Sequence, residues 1–548
     1  MERRVSENHT ISQTGPLALY DLVSTFELEK IPLVLRRIIS PSVPVIVFLT
    51  AFTAFAQRGG GDWMTSGFDA QRSFWVRNDG KISTLSMGKP GFELVWKVKP
   101  TNAARQLNTL MPPSLVDFFI GHRGFRALGF FGGSNDTVVA YDLDLARTEW
   151  ANSHATPGAA KPGTLECPGG MTSAVTRPTG LGYPPVPTGS SPGRGTPAKG
   201  GVGEPYEGAL TLKRDPAPRL QAPRPVPAAK PAAGAPNPFA ARVQWVNSLS
   251  GDGKLHSVYL GNGEEPAPGI SFLPAGANAQ GLIVVDRFAY VSTTNSCSGV
   301  ANGVWALGID TKNVTKWTTP ANVAGTVGPA IAPDGTVYVA AGTELAALEA
   351  KTLAAKGSFK STAGEFTSSP VVFDYKGKNM AAATSAQGHL QVIDTTSLSA
   401  AYAQSPVFSV PGYQAGGVAS WQDPAGNRWL LAPSDKNITA FKLGGAGKLE
   451  VAWTSRELVS PLPPVVINGV VFALSSGEFR GKDLKTIAAK SVPAVLYALD
   501  GATGKELWNS GKTITSFVHS GGLSAGGSRI YVGAYDGNQY AFSFPIEH

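Results

Sequence analysis

The stretch Val495-Leu-Tyr-Ala-Leu-Asp500-Gly-Ala-Thr-Gly504-Lys-Glu-Leu-Trp508 decides the fold of this chain. Alternating apolar residues from Val495 to Leu499 predict a half-buried strand, Asp500 to Gly504 carry turn chemistry, and Glu-Leu-Trp begins a returning strand. Degenerate copies run from Val139 through Asp142 to Trp150 and from Val304 through Asp310 to Trp317. Others run from Leu345 to Phe359, from Leu390 to Phe408 and from Ile438 to Trp453, with a fainter one from Leu255 to Phe272. Further strands precede each hairpin, such as Thr336-Val-Tyr-Val, Val470-Val-Phe-Ala and Arg529-Ile-Tyr-Val, each entered through a turn. Four short strands repeating every ~40 to 55 residues are the arithmetic of a β-propeller.

The ends of the series complete it. The last unit, Phe517 to Phe544, has three strands and no terminal tryptophan, whereas Phe92-Glu-Leu-Val-Trp96-Lys-Val is an orphan fourth strand. Pairing these two closes the ring and removes exposed sheet edges. The expectation is an all-β fold of about eight four-stranded antiparallel blades, or seven if the unit near Phe272 is not a blade. Trp96, Trp150, Trp317, Trp453 and Trp508 are read as packing between blades, with Asp142, Asp310, Asp500 and Gly504 shaping the turns.

Composition agrees with this reading and narrows the function. The 548 residues include 64 Gly and 42 Pro, too many breakers for a helical protein, while 42% apolar residues excludes wholesale disorder. The net charge of +8 is unevenly placed: residues 177–242 carry +6 and 15 of the prolines, and the rest of the chain is close to neutral. This Pro-rich stretch reads as an extended, disordered insertion inside the second blade, because long surface insertions cost little. No basic-aromatic stripe supports a nucleic-acid partner. Val43 to Ala56 is too short to span a bilayer, follows Arg36-Arg37 and ends in Ala-Phe-Ala. Residues 1–56 are therefore expected to be an export signal cleaved near Ala56, giving a periplasmic or secreted monomer without a transmembrane helix.

The tryptophan-ended hairpins resemble those of the pyrroloquinoline quinone (PQQ) dehydrogenases and related quinoprotein-like propellers. Asp62-Trp63-Met-Thr65-Ser-Gly67-Phe-Asp69-Ala-Gln-Arg72 also looks like the lead-in that such enzymes place before their first blade, here residues 57–91, with the propeller from 92 to 548. The resemblance implies two activities. Family dehydrogenases use PQQ with Ca²⁺ or a lanthanide, whereas BamB-like relatives carry the same blades as binding proteins. Many of the enzymes have a disulfide of adjacent cysteines, but Cys167 and Cys297 are far apart, and no Cys-x-x-Cys-His haem motif occurs. The family analogy puts the axial site at the starts of the innermost strands. The candidates there are Glu166, Glu365, Trp421 and His519, with no dense charged cluster for a quinone triacid and a metal. His122, His256 and His389 show no clustered partner in the sequence, so no metal site is expected. Cys167 and Cys297 fall in neighbouring blades; export would oxidise them to a disulfide if their Cα atoms approach to about 6 Å. The leading expectation is a module binding a small ligand or an envelope protein without redox chemistry, and the alternative is a divergent PQQ-dependent alcohol or sugar dehydrogenase.

Overall fold

Eight β-sheets, each built mainly of consecutive antiparallel strands, form the blades of the ring. The structure, a computed structural model, describes residues 62–121, 124–155, 163–184, 244–519 and 522–545. The expected export signal, its cleavage point at Ala56, His122 and most of the Pro-rich stretch lie outside the described residues. No helix among the described residues is long and apolar enough to cross a membrane.

Blade 1 comprises Ser114–Gly121, Gly124–Gly133, Thr137–Asp142 and Arg147–Ser153. Blades 3 to 7 repeat the pattern, with innermost strands Asn278–Val285, Ala330–Ile331, Val371–Tyr375, Ala419–Gln422 and Val465–Ile467. Blade 8 has Leu523–Gly526, Arg529–Gly533 and Gln539–Ser543 from the C-terminal end, and Glu93–Val98 pairs antiparallel with Gln539–Ser543 as its fourth strand. The ring is thus closed by hydrogen bonds between its two ends. Blade 2 is the irregular one. Its strands Trp245–Leu249, Lys254–Tyr259 and Ile270–Ser271 follow an inner segment held by reciprocal Thr176–Asn247 main-chain bonds.

The hairpin turns show how the repeat is built. Asp500 Oδ1 accepts the N–H groups of Ala502 and Thr503 at 3.0 and 2.9 Å, and Asp142 Oδ1 accepts those of Asp144 and Leu145. Such bonds give the chain a local reason to reverse. Gly504 closes the turn with φ +72°, and a Cβ there would fall 2.7 Å from the Trp453 ring of the preceding blade. Trp453 Nε1 meanwhile donates to Gly501 O; Trp150 and Trp96 likewise donate to Leu260 O and Leu143 O. Each of these tryptophans packs its ring on the next blade and satisfies its one donor there. Trp317 and Trp508 are partly buried against the hydrophobic clusters, Trp508 edge-on to Phe92 at 4.9 Å.

Three details differ from the sequence reading. In blade 3 the place of Asp500 is held by Gly308, whose N–H bonds Asn313 O, and Lys312 adopts the left-handed φ of +59°. Asp310 lies two residues further on within the turn, where its carboxylate pairs with Arg287 at the surface and does not bond the turn's main chain. The fourth strand of blade 5 is Ala401–Gln404; Phe408 follows it and packs edge-on to Phe441 at 5.2 Å. Finally, residues 177–184, placed by sequence in the insertion, are built into the ring. Arg177 is buried and bonds Asp62 at 2.6 Å, and Pro178–Thr179 pairs parallel with the end of Asn278–Val285.

The lead-in lies inside the ring. Main-chain N–H groups of Leu115, Arg177, Ile331, Val372, Ser420 and Val466 donate to the carbonyls of Trp63, Met64, Ala70, Gln71, Ser73 and Phe74. These bonds are 2.7–2.9 Å long and visit blades 1, 2, 4, 5, 6 and 7 in order; Thr65 Oγ1 reaches blade 3 at Leu282 O. Trp75–Val76 then pairs parallel with Val466 and Ile467. The lead-in's apolar side chains, Trp63, Phe68, Phe74 and Trp75, join the cluster that also contains the cores of blades 7 and 8. It is the inner lining of the propeller.

Candidate functional site

The innermost strands all begin on one face, here the entrance, and end on the other, the exit. At the entrance, short polar side chains tie one blade to the next. Thr172 Oγ1 donates to Ala279 O and accepts the Ala279 N–H, both at 2.9 Å, and Ser173 Oγ accepts the Leu282 N–H at 2.7 Å. Ser369 Oγ joins blade 5 to Val327 N and Ala324 O. These groups are buried, so leaving them unbonded would cost about 1–3 kcal/mol each. They are committed to the ring.

The sequence candidates are dispersed around this face. Glu166 is exposed, and its main-chain oxygen accepts from Asn278 and Asn295 at 2.9 Å. Glu365 is exposed, with its carbonyl bonded to Ala386 N. His519 Nδ1 meets Glu478 at 2.9 Å, an ion pair when the imidazole is protonated. Trp421 does not line the entrance. It is buried in the sheet of blade 6, stacked on Trp429 at 5.7 Å and adjacent to Gly501 of blade 7. An alternating strand turns every second side chain into the interface between blades, and Trp421 falls on that register. Cys167 and Cys297 form a disulfide that joins the run-in of blade 2 to blade 3, with Cα atoms 5.5 Å apart.

A metal and a quinone triacid would need a cluster of carboxylate and amide oxygens at the entrance. The described residues do not assemble one there. Among them a single group of three metal-ligand side chains converges, His154, His256 and Glu265, and it lies between blades 1 and 2. His256 Nδ1 is 2.8 Å from Glu265, and Ser250 Oγ is 3.0 Å from His256 Nε2. The His154 and His256 rings stack at 3.8 Å, 18° from parallel. Rings stacked face to face direct their in-plane lone pairs along separate parallel lines, so as placed the two imidazoles are stacked and do not converge on one point. His256 therefore does have clustered partners, contrary to the sequence reading. The pairing crosses two blades and leaves no mark in the spacing.

At the exit the polar groups are arranged differently. Arg77 and Arg428 approach the same ring, Trp75, with guanidinium carbons 4.4 and 5.8 Å from its centroid. Arg77 pairs with Asp69 at 3.2 Å, whereas Arg428 makes no ion pair among the described residues. A cavity of about 260 Å³ opens beside them between blades 5 and 6. None of these residues was a sequence candidate. Their meeting depends on the lead-in running inside the ring. A wider, mostly apolar cleft of about 610 Å³ lies between blades 2 and 3, lined by Trp245, Leu255 and Ile270 among others.

No protein-family model matches the chain, and no curated protein matches it by sequence. Solved structures do match in shape. The quinohemoprotein alcohol dehydrogenase from Comamonas testosteroni is similar at 13% identity over 89% of this chain and 81% of that one, with a TM-score of 0.53. A europium-containing methanol dehydrogenase is similar at 11% identity over 88% and 98% of the two chains, also with a TM-score of 0.53. BamB from Moraxella catarrhalis aligns at 13% identity over 83% and 99%, with a TM-score of 0.45. The chain has the eight-bladed propeller fold of the quinoproteins; likeness at this identity concerns the fold.

Proposed function

We propose that the chain is an exported propeller acting as a binding module for a small ligand or an envelope protein, without quinone redox chemistry. The observation that carries this reading is the entrance. Its buried polar side chains bridge blades, Glu166 and Glu365 are exposed, and a third acid, Glu478, is engaged by His519. A family dehydrogenase needs free oxygen ligands and a base at that place. The Cys167–Cys297 disulfide supports an oxidising compartment. A protein partner is favoured by one further feature. The first hairpin of blade 1 projects Phe118, Ile120 and Phe125, each more than half exposed, with the two phenylalanines stacked at 5.2 Å.

Reconstitution tests the reading. The protein is mixed with PQQ and Ca²⁺, its absorbance spectrum recorded, and a dye acceptor assayed with a panel of alcohols and sugars. The expected result is no stoichiometric uptake and no turnover. Stoichiometric uptake with dye reduction would make it a divergent PQQ-dependent dehydrogenase.

A further inference from the structure

We infer that the exit end of the channel is a binding site for a small monocarboxylate whose remaining part is planar and apolar. Arg428 opens the second strand of blade 6 and is only 6% exposed. Among the described residues its guanidinium makes one hydrogen bond, a long one of 3.4 Å to Gln422 Oε1, and its Nε has no partner. Burial, reinforced by the nearby Arg77, pulls its pKa down to about 10, which leaves it charged at neutral pH. Asp374 favours the charged form without forming an ion pair with it, and cation–π contact with Trp75 and Phe373 at 5.8 and 5.5 Å offsets only part of the cost of burying the charge.

The surroundings specify the missing partner. Arg77 Nε is also without an acceptor, and Ser420 Oγ is fully buried and unbonded. All three side chains line the 260 Å³ cavity. Two guanidinium groups and a hydroxyl converging on one space match the planar, two-oxygen acceptor of a carboxylate. The walls are aromatic and aliphatic, Trp75, Phe373 and Val372, which suits a flat apolar remainder. Asp374 also borders the cavity and would repel a second negative charge, so a monocarboxylate fits better than phosphate or a diacid. Tyr183 does not compete as a donor, because its hydroxyl donates to Asn379 Oδ1 at 2.9 Å.

This deepens the binding-module reading by naming a ligand class, and it has its own test. Benzoate, benzamide and inorganic phosphate are titrated separately into the full chain by calorimetry. Benzoate should bind saturably at one site, with benzamide and phosphate at least about tenfold weaker, as a charge-assisted contact predicts. Arg428→Met should weaken benzoate by about tenfold or more, whereas Asp374→Asn should tighten it a few-fold by removing the like charge. Asp374 is partly exposed, so its variant remains informative if Arg428→Met does not fold. Equal affinity for benzoate and benzamide, no benzoate heat, or indifference to Asp374→Asn would overturn the proposal. These outcomes are separate from PQQ uptake, which decides the reading of the entrance.

Discussion

Thr172 and Ser420 are both buried hydroxyls of the channel wall, in different blades, yet they are used in opposite ways. The Thr172 hydroxyl, at the entrance, both donates to and accepts from the main chain of Ala279 in the neighbouring blade. The Ser420 hydroxyl, toward the exit, is completely buried and bonds nothing among the described residues, and Arg428 beside it has no ion-pair partner among them. Buried polar groups are nearly always satisfied, because each unsatisfied one costs free energy. Thr172 obeys that rule through a neighbouring blade. The exit departs from it around a cavity, which is how a site that completes itself with a ligand differs from a structural seam.

Removing what separates the two ends should have the largest effect. Arg72 of the lead-in is wholly buried, and its guanidinium donates to Pro329 O at 2.9 Å, Gly281 O and Ser66 O at 2.6 Å, and Thr65 Oγ1 at 3.0 Å. Burial, opposed by Asp69, lowers its pKa to about 9, so it remains charged at neutral pH, and each of its three nitrogens is hydrogen-bonded. Arg72→Met leaves those acceptors unpaired, and a loss of about 3–5 kcal/mol in urea unfolding is expected. A loss below about 1 kcal/mol would show that blade packing alone holds the lead-in in place.

The ring itself was legible in the sequence because its signals are local. A turn aspartate, a left-handed glycine and a returning tryptophan lie within one hairpin, and the orphan strand at Phe92 announced the closure. Where one local signal is replaced by another, the reading slipped. Lys312 takes the left-handed turn position in blade 3, which moved the apparent turn residue to Asp310. The site residues were not legible for a different reason. Arg428 is buried by Trp75, a residue of the lead-in, and His154 meets His256 across two blades. Such contacts are made by the closed ring. Trp421 was misplaced by one alternation of its strand, which turned a core residue into an apparent ligand platform.

The comparison of hydroxyls can be tested directly with two matched substitutions. Thr172→Val keeps the shape but leaves the buried Ala279 N–H and carbonyl without that partner, so a loss of about 2 kcal/mol is expected. Ser420→Ala removes a buried hydroxyl that bonds nothing among the described residues and should leave stability unchanged or raise it by up to about 1 kcal/mol. Chemical denaturation of both variants under one set of conditions measures the difference. Equal losses would mean that Ser420 is bonded through ordered water and that the exit is as self-satisfied as the entrance.

A smaller effect separates a buried base that can discharge from one that cannot. The His154 side chain is 6% exposed, and its Nε2 has no partner. Burial first, then the adjacent His256, hold its pKa down to about 4 from the usual 6.5, with Asp252 opposing. His154 is therefore neutral in the folded protein at pH 6, while the unfolded chain is largely protonated there. Between pH 6.5 and 4 the unfolded state binds more protons, so stability falls as pH falls through that window and the loss from this group stops below it. Other acids titrate over the same range, Asp136 with its pKa raised by burial among them, so the measurement is a difference between the protein and a His154→Phe variant. That variant keeps a ring against His256 and removes the proton site. The protein should lose about 1–2 kcal/mol more than the variant between pH 6.5 and 4, and parallel profiles would show that His154 is protonated in place. Arg428 has no such escape, since a guanidinium held at about 10 remains charged across the whole window. A buried histidine can meet an apolar wall by giving up its charge, whereas a buried arginine needs acceptors; Arg72 finds them in main-chain carbonyls, and Arg428 faces the exit cavity instead.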